Sequence, residues 1–101
     1  MSNVVVLVKV PLKAGTRDAA LEAVKGAIAN TMAEDGTLQY IALEDPNDEN
    51  IIYMWEVYTG QEALMAHGGA EWFKAFSASL AAYVGGKVEF TFLSPLMGKG
   101  L

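Results

Sequence analysis

The chain predicts an α+β domain of ferredoxin-like β-α-β-β-α-β order, an antiparallel sheet with helices on one face. Three observations carry that prediction. β-Branched and aromatic residues gather in four short runs, the signature of half-buried strands. Apolar residues recur at helical spacing between the first and second runs, and again between the third and fourth. The two middle runs are separated only by a polar turn, which makes the order that of the split β-α-β motif.

The first run, Val4 to Val10, is almost continuously apolar and is closed by Pro11, which has no N–H for a ladder. Thr16 is placed as a helix N-cap, with Asp18 in the first turn where the macrodipole favours an acid. Leu21, Val24, Ile28 and Met32 then form one apolar stripe, and Gly36 reads as the C-terminal stop. Thr37 to Glu44 is the second strand, Asp45-Pro46-Asn47-Asp48-Glu49-Asn50 a polar turn, and Ile51 to Tyr58 the third strand. Thr59-Gly60-Gln61-Glu62 has the form of a capping box, opening a helix that carries Leu64 and His67 on one face.

That helix is expected to break at Gly68-Gly69. A second helical stretch follows, with Phe73, Phe76, Leu80 and Tyr83 or Val84 on one face, stopped by Gly85-Gly86. Lys87 to Leu93 alternates, with Val88, Phe90 and Phe92 on one side. The domain spans 1–101, and its last residues, 94–101, read as a loose tail.

Two helices cover one face of a four-stranded sheet. The first and third strands are nevertheless apolar on both sides: Val5 and Leu7 oppose Val4, Val6 and Val8, while Ile52 and Met54 oppose Tyr53, Trp55 and Val57. Both faces therefore leave water, and a homodimer packed through its sheet faces satisfies that requirement. The composition agrees, with 52% hydrophobic and only 19% charged residues.

The net charge of −5 argues against a nucleic-acid partner, whose phosphates are met by Lys and Arg. No apolar run reaches the roughly 20 residues that span a bilayer, so no membrane partner is expected. The N-terminus lacks the basic region and cleavage site of a secretory signal, and a cytoplasmic location is expected. The absence of cysteine removes thiolate nucleophiles and Cys-type metal sites. The acidic run from Glu44 to Glu49 lacks the spacing of a calcium loop, and no metal site is assigned.

His67 is the only histidine in the chain, so strong-base chemistry near neutral pH passes through it. About 9 Å of helical rise from Gln61 sets it near the level of Trp55 and Glu56, facing inward. The plainer role for it is a helix-end histidine that meets unpaired carbonyls. Glu56 is a carboxylate in an apolar strand, costly unless it is paired. It serves either to orient His67 as a base or as a strand-end residue reaching solvent. Tyr53, Trp55, Trp72, Phe73 and Phe76 would suit a flat aromatic ligand, although most aromatics at such spacing are core. Trp72 and Phe76 follow the glycine break and are placed as pocket walls.

Three stretches carry a resemblance: Glu34-Asp35-Gly36-Thr37-Leu38-Gln39-Tyr40, then Glu56-x-Tyr58-x-x-x-Glu62-Ala63-Leu64-x-x-His67, then Trp72-Phe73-x-x-Phe76. In this order the chain resembles the antibiotic biosynthesis monooxygenase family, small dimeric α+β barrels that include quinol monooxygenases. The resemblance implies oxygenation of a hydroquinone or polyphenolic, polyketide-like aromatic substrate by O2, with neither metal nor flavin as cofactor. With the resemblance added, His67 is expected to meet the substrate, and His67 and Glu56 are the expected catalytic pair, His67 removing a phenolic proton with the help of Glu56. The same fold hosts haem-degrading enzymes with an asparagine, a tryptophan and a histidine. The corresponding positions here are Val8, His67 and Ser77, so that triad is missing. Two alternatives stand beside the oxygenase: a non-catalytic barrel that binds a small apolar ligand or serves as an accessory domain beside another enzyme, and haem binding with His67 as axial ligand.

Overall fold

The computed structural model describes residues 3–100. Met1, Ser2 and Leu101, which belong to the N-terminal segment and the tail discussed above, lie outside the described residues. The elements follow as β1 (Val4–Pro11), α1 (Arg17–Thr31), β2 (Thr37–Asp45), β3 (Asp48–Tyr58), α2 (Gln61–Gly69), α3 (Glu71–Ala81) and β4 (Glu89–Leu93). The four strands form one sheet in the order β2-β3-β1-β4, with every neighbouring pair antiparallel. This is the ferredoxin-like α+β arrangement.

Register assigns each side chain to a face. Val6 pairs with Glu56, Val8 with Met54 and Val10 with Ile52, while Tyr40 pairs with Glu56 from the other side. These residues share one face, because side chains alternate along a strand. α1 covers that face with Ala20, Val24 and Ala27, and Leu64, Trp72, Phe76 and Leu80 of α2 and α3 pack on the same cluster. The opposite face carries Val5, Leu7, Tyr53, Trp55 and Val57, flanked by Ile41, Leu43 and Leu93.

Several local expectations are corrected. The buried stripe of α1 is Ala20, Val24, Ala27 and Thr31, and Met32 is 81% exposed. Small residues hold that stripe because α1 lies close against α3 and β2. Thr16 occupies the N-cap position, but its hydroxyl donates to the Lys13 carbonyl (2.7 Å) and caps nothing. The capping box at Thr59 does not form: Gly60 is the N-cap of α2, with no side-chain hydrogen bond. The Thr59 N–H donates instead to the Gly36 carbonyl (2.9 Å), joining the end of β3 to the start of β2. α2 continues through Gly68-Gly69 and breaks at Ala70, whose backbone is extended.

Gly36 lies beyond the end of α1 and has a steric role. A Cβ built there would lie 2.5 Å from Cβ of Ala63, so the α1–β2 turn can approach α2 only through glycine. The β2–β3 turn is also tighter than expected, leaving only Pro46 and Asn47 between the strands. Asp45 and Asp48 accept the backbone N–H groups of Asn47 and Asn50, both at 2.9 Å, as Asx turns do. No helix among the described residues is long and apolar enough to cross a membrane.

Candidate active site

A cavity of about 460 Å³ opens between the helix-covered sheet face and α3. Val8, Val10, Met54 and Phe90 form its floor, and Phe73, Phe76, Leu80 and Ala81 its roof. Among the described residues, Tyr40, Glu56 and Ser77 are its only polar lining residues, and no lysine or arginine lines it. Its volume lies in the range typical of small-molecule sites, about 300–1,000 Å³.

Glu56 is brought there by the pleat of β3. It shares a face with Ile52, Met54 and Tyr58, and only 7% of it is exposed. Burial raises its carboxyl above the ordinary glutamate value, opposed by a hydrogen bond from Tyr58 and the nearby imidazole of His67. The Tyr58 hydroxyl donates to Glu56 Oε1 at 2.6 Å. Burial also pushes the phenols of Tyr58 and Tyr40 well above their usual range, helped by the charge of Glu56. Both tyrosines remain neutral donors at any ordinary pH.

His67 stands over these residues from the last turn of α2 and is 3% exposed. Its ring packs against Tyr40, Tyr58, Trp72 and Phe73, with centroid separations of 5.3, 5.2, 5.2 and 4.9 Å. Tyr40 and Phe73 are cavity walls, so His67 sits one layer behind the lining. Its hydrogen-bond partner is Glu34, not Glu56: Nδ1 lies 2.9 Å from Glu34 Oε1. Nε2 is buried and finds no partner among the described residues. An unsatisfied buried polar atom of this kind costs about 1–3 kcal/mol.

Glu34 gathers three donors on one carboxylate. Besides His67, Thr37 Oγ1 donates to Oε1 (2.7 Å) and the Trp72 indole donates to Oε2 (3.0 Å). Burial by itself would raise this carboxyl. The hydrogen bonds from His67, Thr37 and Trp72, with the electrostatic pull of the nearby imidazole, outweigh it and hold the carboxyl below the ordinary value. Its outer side faces a second cleft of about 270 Å³, lined by Glu34 to Thr37 with Ala63, Ala66 and His67. His67 thus separates that cleft from the inner cavity.

Of the expected site residues, the structure brings together His67, Glu56, Trp72, Phe73 and Phe76. Phe73 and Phe76 line the cavity, while Trp72 backs His67 from the Glu34 side. Tyr53 and Trp55 do not belong to this group. They lie on the opposite sheet face, paired with Lys9 and Leu7 on one side and with Leu43 and Ile41 on the other. Strand alternation forbids Trp55 from sharing a face with Glu56, and its indole donates to Gln39 on that outer face (2.7 Å). The orienting partner of His67 is corrected from Glu56 to Glu34. Sequence reasoning placed Glu34, Tyr40 and Tyr58 in motifs without giving them a role, although an acid before glycine and a tyrosine two residues past Glu56 were both visible.

The helix-covered sheet thus carries a cavity with aromatic residues and one carboxyl group in its lining. The sequence pattern of the antibiotic biosynthesis monooxygenase family matches residues 3–79, from the start of β1 into α3, and the chain belongs to that family. Solved structures agree in fold. A Caulobacter crescentus protein named for the same family is 21% identical, with a TM-score of 0.91 over 95% of this chain and 92% of that one. The Pseudomonas aeruginosa protein PA3566 is 26% identical, with a TM-score of 0.87 over 96% and 97% of the two chains. Rv0793 of Mycobacterium tuberculosis is 25% identical, with a TM-score of 0.89 over 98% and 100%. No match was found among curated proteins.

Proposed function

We propose that this chain is a monooxygenase that uses O2 to oxidise a hydroquinone-type or polyphenolic aromatic substrate. The observation that carries this reading is the aromatic cavity with the buried carboxyl group of Glu56 at its wall. Aromatic walls favour a flat ring. The lack of any cationic lining residue, together with Glu56, disfavours substrates bearing carboxylate, sulfate or phosphate groups. The substrate class is therefore a neutral phenol.

Glu56 accepts the phenolic proton, a role that its raised affinity for protons suits. The resulting electron-rich anion gives up electrons to O2 against mostly apolar walls. One oxygen atom enters the ring and the other leaves as water. A hydroquinone that takes this course ends as a hydroxyquinone, having supplied all four electrons that reduce O2, so the reaction needs no separate reductant. His67 acts with Glu56, from behind the wall. Two such chains are proposed to associate as a homodimer through the outer sheet face, which leaves the cavity on the helix side.

Oxygen uptake with a panel of hydroquinones and anthrone-like phenols tests this. Wild-type uptake above the spontaneous rate, reduced at least tenfold in both Glu56→Gln and His67→Ala, is the expected result. Equal rates in all three proteins, with the phenols still bound, would instead identify a ligand-binding barrel without catalysis.

A further inference from the structure

We propose that Glu34 is the positioning residue of this site, fixing His67 as the Nδ1–H tautomer and leaving the Nε2 lone pair free on the buried side. The inference rests on the reading of the inner cavity as the reaction chamber. A carboxylate is acceptor-only, so the 2.9 Å contact requires the proton to reside on Nδ1. The ring then presents a bare acceptor at Nε2, pointing away from Glu34. That atom is fully buried and meets no donor among the described residues. A hydrogen bond at one ring nitrogen decides what the other can do, and here it leaves Nε2 as an acceptor on the buried side.

Every group facing the ring fits this arrangement. Tyr40 from β2 and Tyr58 from β3 pack against it, and the Tyr58 hydroxyl is committed to Glu56. Trp72 and Phe73 from α3 close the remaining sides. The carboxylates that act on His67 are Glu34, in contact, and Glu56, within electrostatic reach. Glu34 also grips Trp72, so one carboxylate sets both the imidazole and the first turn of α3 that walls the cavity. Its side chain is 21% exposed, and it borders the outer cleft, which makes it the link between the buried ring and solvent.

The chain has one histidine, so ¹⁵N-labelled protein gives a single imidazole spectrum that needs no assignment. Two-bond ¹H–¹⁵N correlation of the neutral ring is expected to show the proton on Nδ1 in the wild type. In Glu34→Gln the proton is expected to move, wholly or in part, to Nε2, and Glu34→Asp to restore the wild-type tautomer. With a phenol that is turned over, Glu34→Gln is expected to lose about 10–100-fold in kcat, as outer-shell partners do, with KM changed less than twofold. A wild-type ring protonated at Nε2, or a tautomer unchanged in Glu34→Gln, overturns the proposal. Failure to oxidise any phenol would overturn the reading of the cavity, while the tautomer still decides what Glu34 does to His67.

Discussion

Glu34 Oε1 accepts a 2.9 Å hydrogen bond from Nδ1 of His67, although 33 residues separate them in the chain. The contact ties the turn after α1 to the last turn of α2. The same carboxylate also holds Thr37 and Trp72, so the start of β2, the end of α2 and the start of α3 meet at one acid. The turn can come so close because Gly36 has no side chain to strike Ala63.

The held carboxylate has a consequence for stability. The folded state lowers the proton affinity of Glu34, so it contributes stability at pH values above the ordinary glutamate pKa. That contribution is lost as pH falls through the lowered folded value. Glu34→Ala is expected to cost about 1–2 kcal/mol at pH 7, the low end for hydrogen bonds to a charged group because part of the carboxylate is open to solvent. Thermal melts of both proteins between pH 7 and pH 3 check this: the gap should close toward acid, and parallel curves would count against it.

Glu56 has the opposite sign. Its folded proton affinity is raised, so burying the carboxylate costs nothing below the unfolded pKa and progressively more as pH rises through the folded value. Glu56→Gln keeps an acceptor for Tyr58 and removes the buried charge. The variant is expected to melt above the wild type at pH 7 and to match it near pH 4. A gain of about 1 kcal/mol corresponds to roughly 4–8 °C in a domain of this size. Its oxygen-uptake activity should fall at the same time. A lower melting point at pH 7 would show that the carboxylate stabilises the fold.

The strands and their faces were legible because alternation depends only on position. Val6, Val8 and Val10 had to share a face, and Phe90 with Phe92 had to share another strand's face. The same rule applied to Glu56 excludes Trp55 and Tyr53 from its side, although their aromatic chemistry suits a ligand pocket. The caps were less legible, since Thr16 and Thr59 are suitable capping residues whose local geometry takes the backbone elsewhere. Glu34 was the hardest to read. Its motif was visible, but its link to His67 depends on a close turn-to-helix approach that no local pattern encodes.

Gly36 makes that approach testable by itself. A methyl group at this position meets the Cβ of Ala63 one helical turn before His67, so α2 has to move away. Gly36→Ala is expected to destabilise the fold by about 1–3 kcal/mol, as overpacking typically does. It should also lengthen the contact between Glu34 and His67, detectable as a shifted imidazole ¹⁵N spectrum. Gly36→Ala combined with Ala63→Gly should recover most of both effects, because the second change removes the struck atom. Failure of that rescue would mean that Gly36 is needed for its backbone and not for its small size.

The outer sheet face leaves large apolar side chains in solvent. Leu38 stands out at the bulge in β2, and Ile41, Leu43 and Leu93 are large apolar residues left exposed around Tyr53 and Trp55. Ile41 and Leu43 lie two residues apart and so project from the same face, remote from the helix-side cavity. If two chains pack through this face, Ile41→Lys with Leu43→Lys buries like charges opposite each other and separates the dimer. Sedimentation is expected to show a dimer for the wild type at micromolar concentration and a monomer for the double variant. Because Glu34, Glu56 and His67 all belong to the helix side, the monomer should retain the His67 tautomer of the wild type. A wild-type monomer would remove the dimer from the proposal, and a monomeric variant with an altered tautomer would show that the partner shapes the site through the sheet.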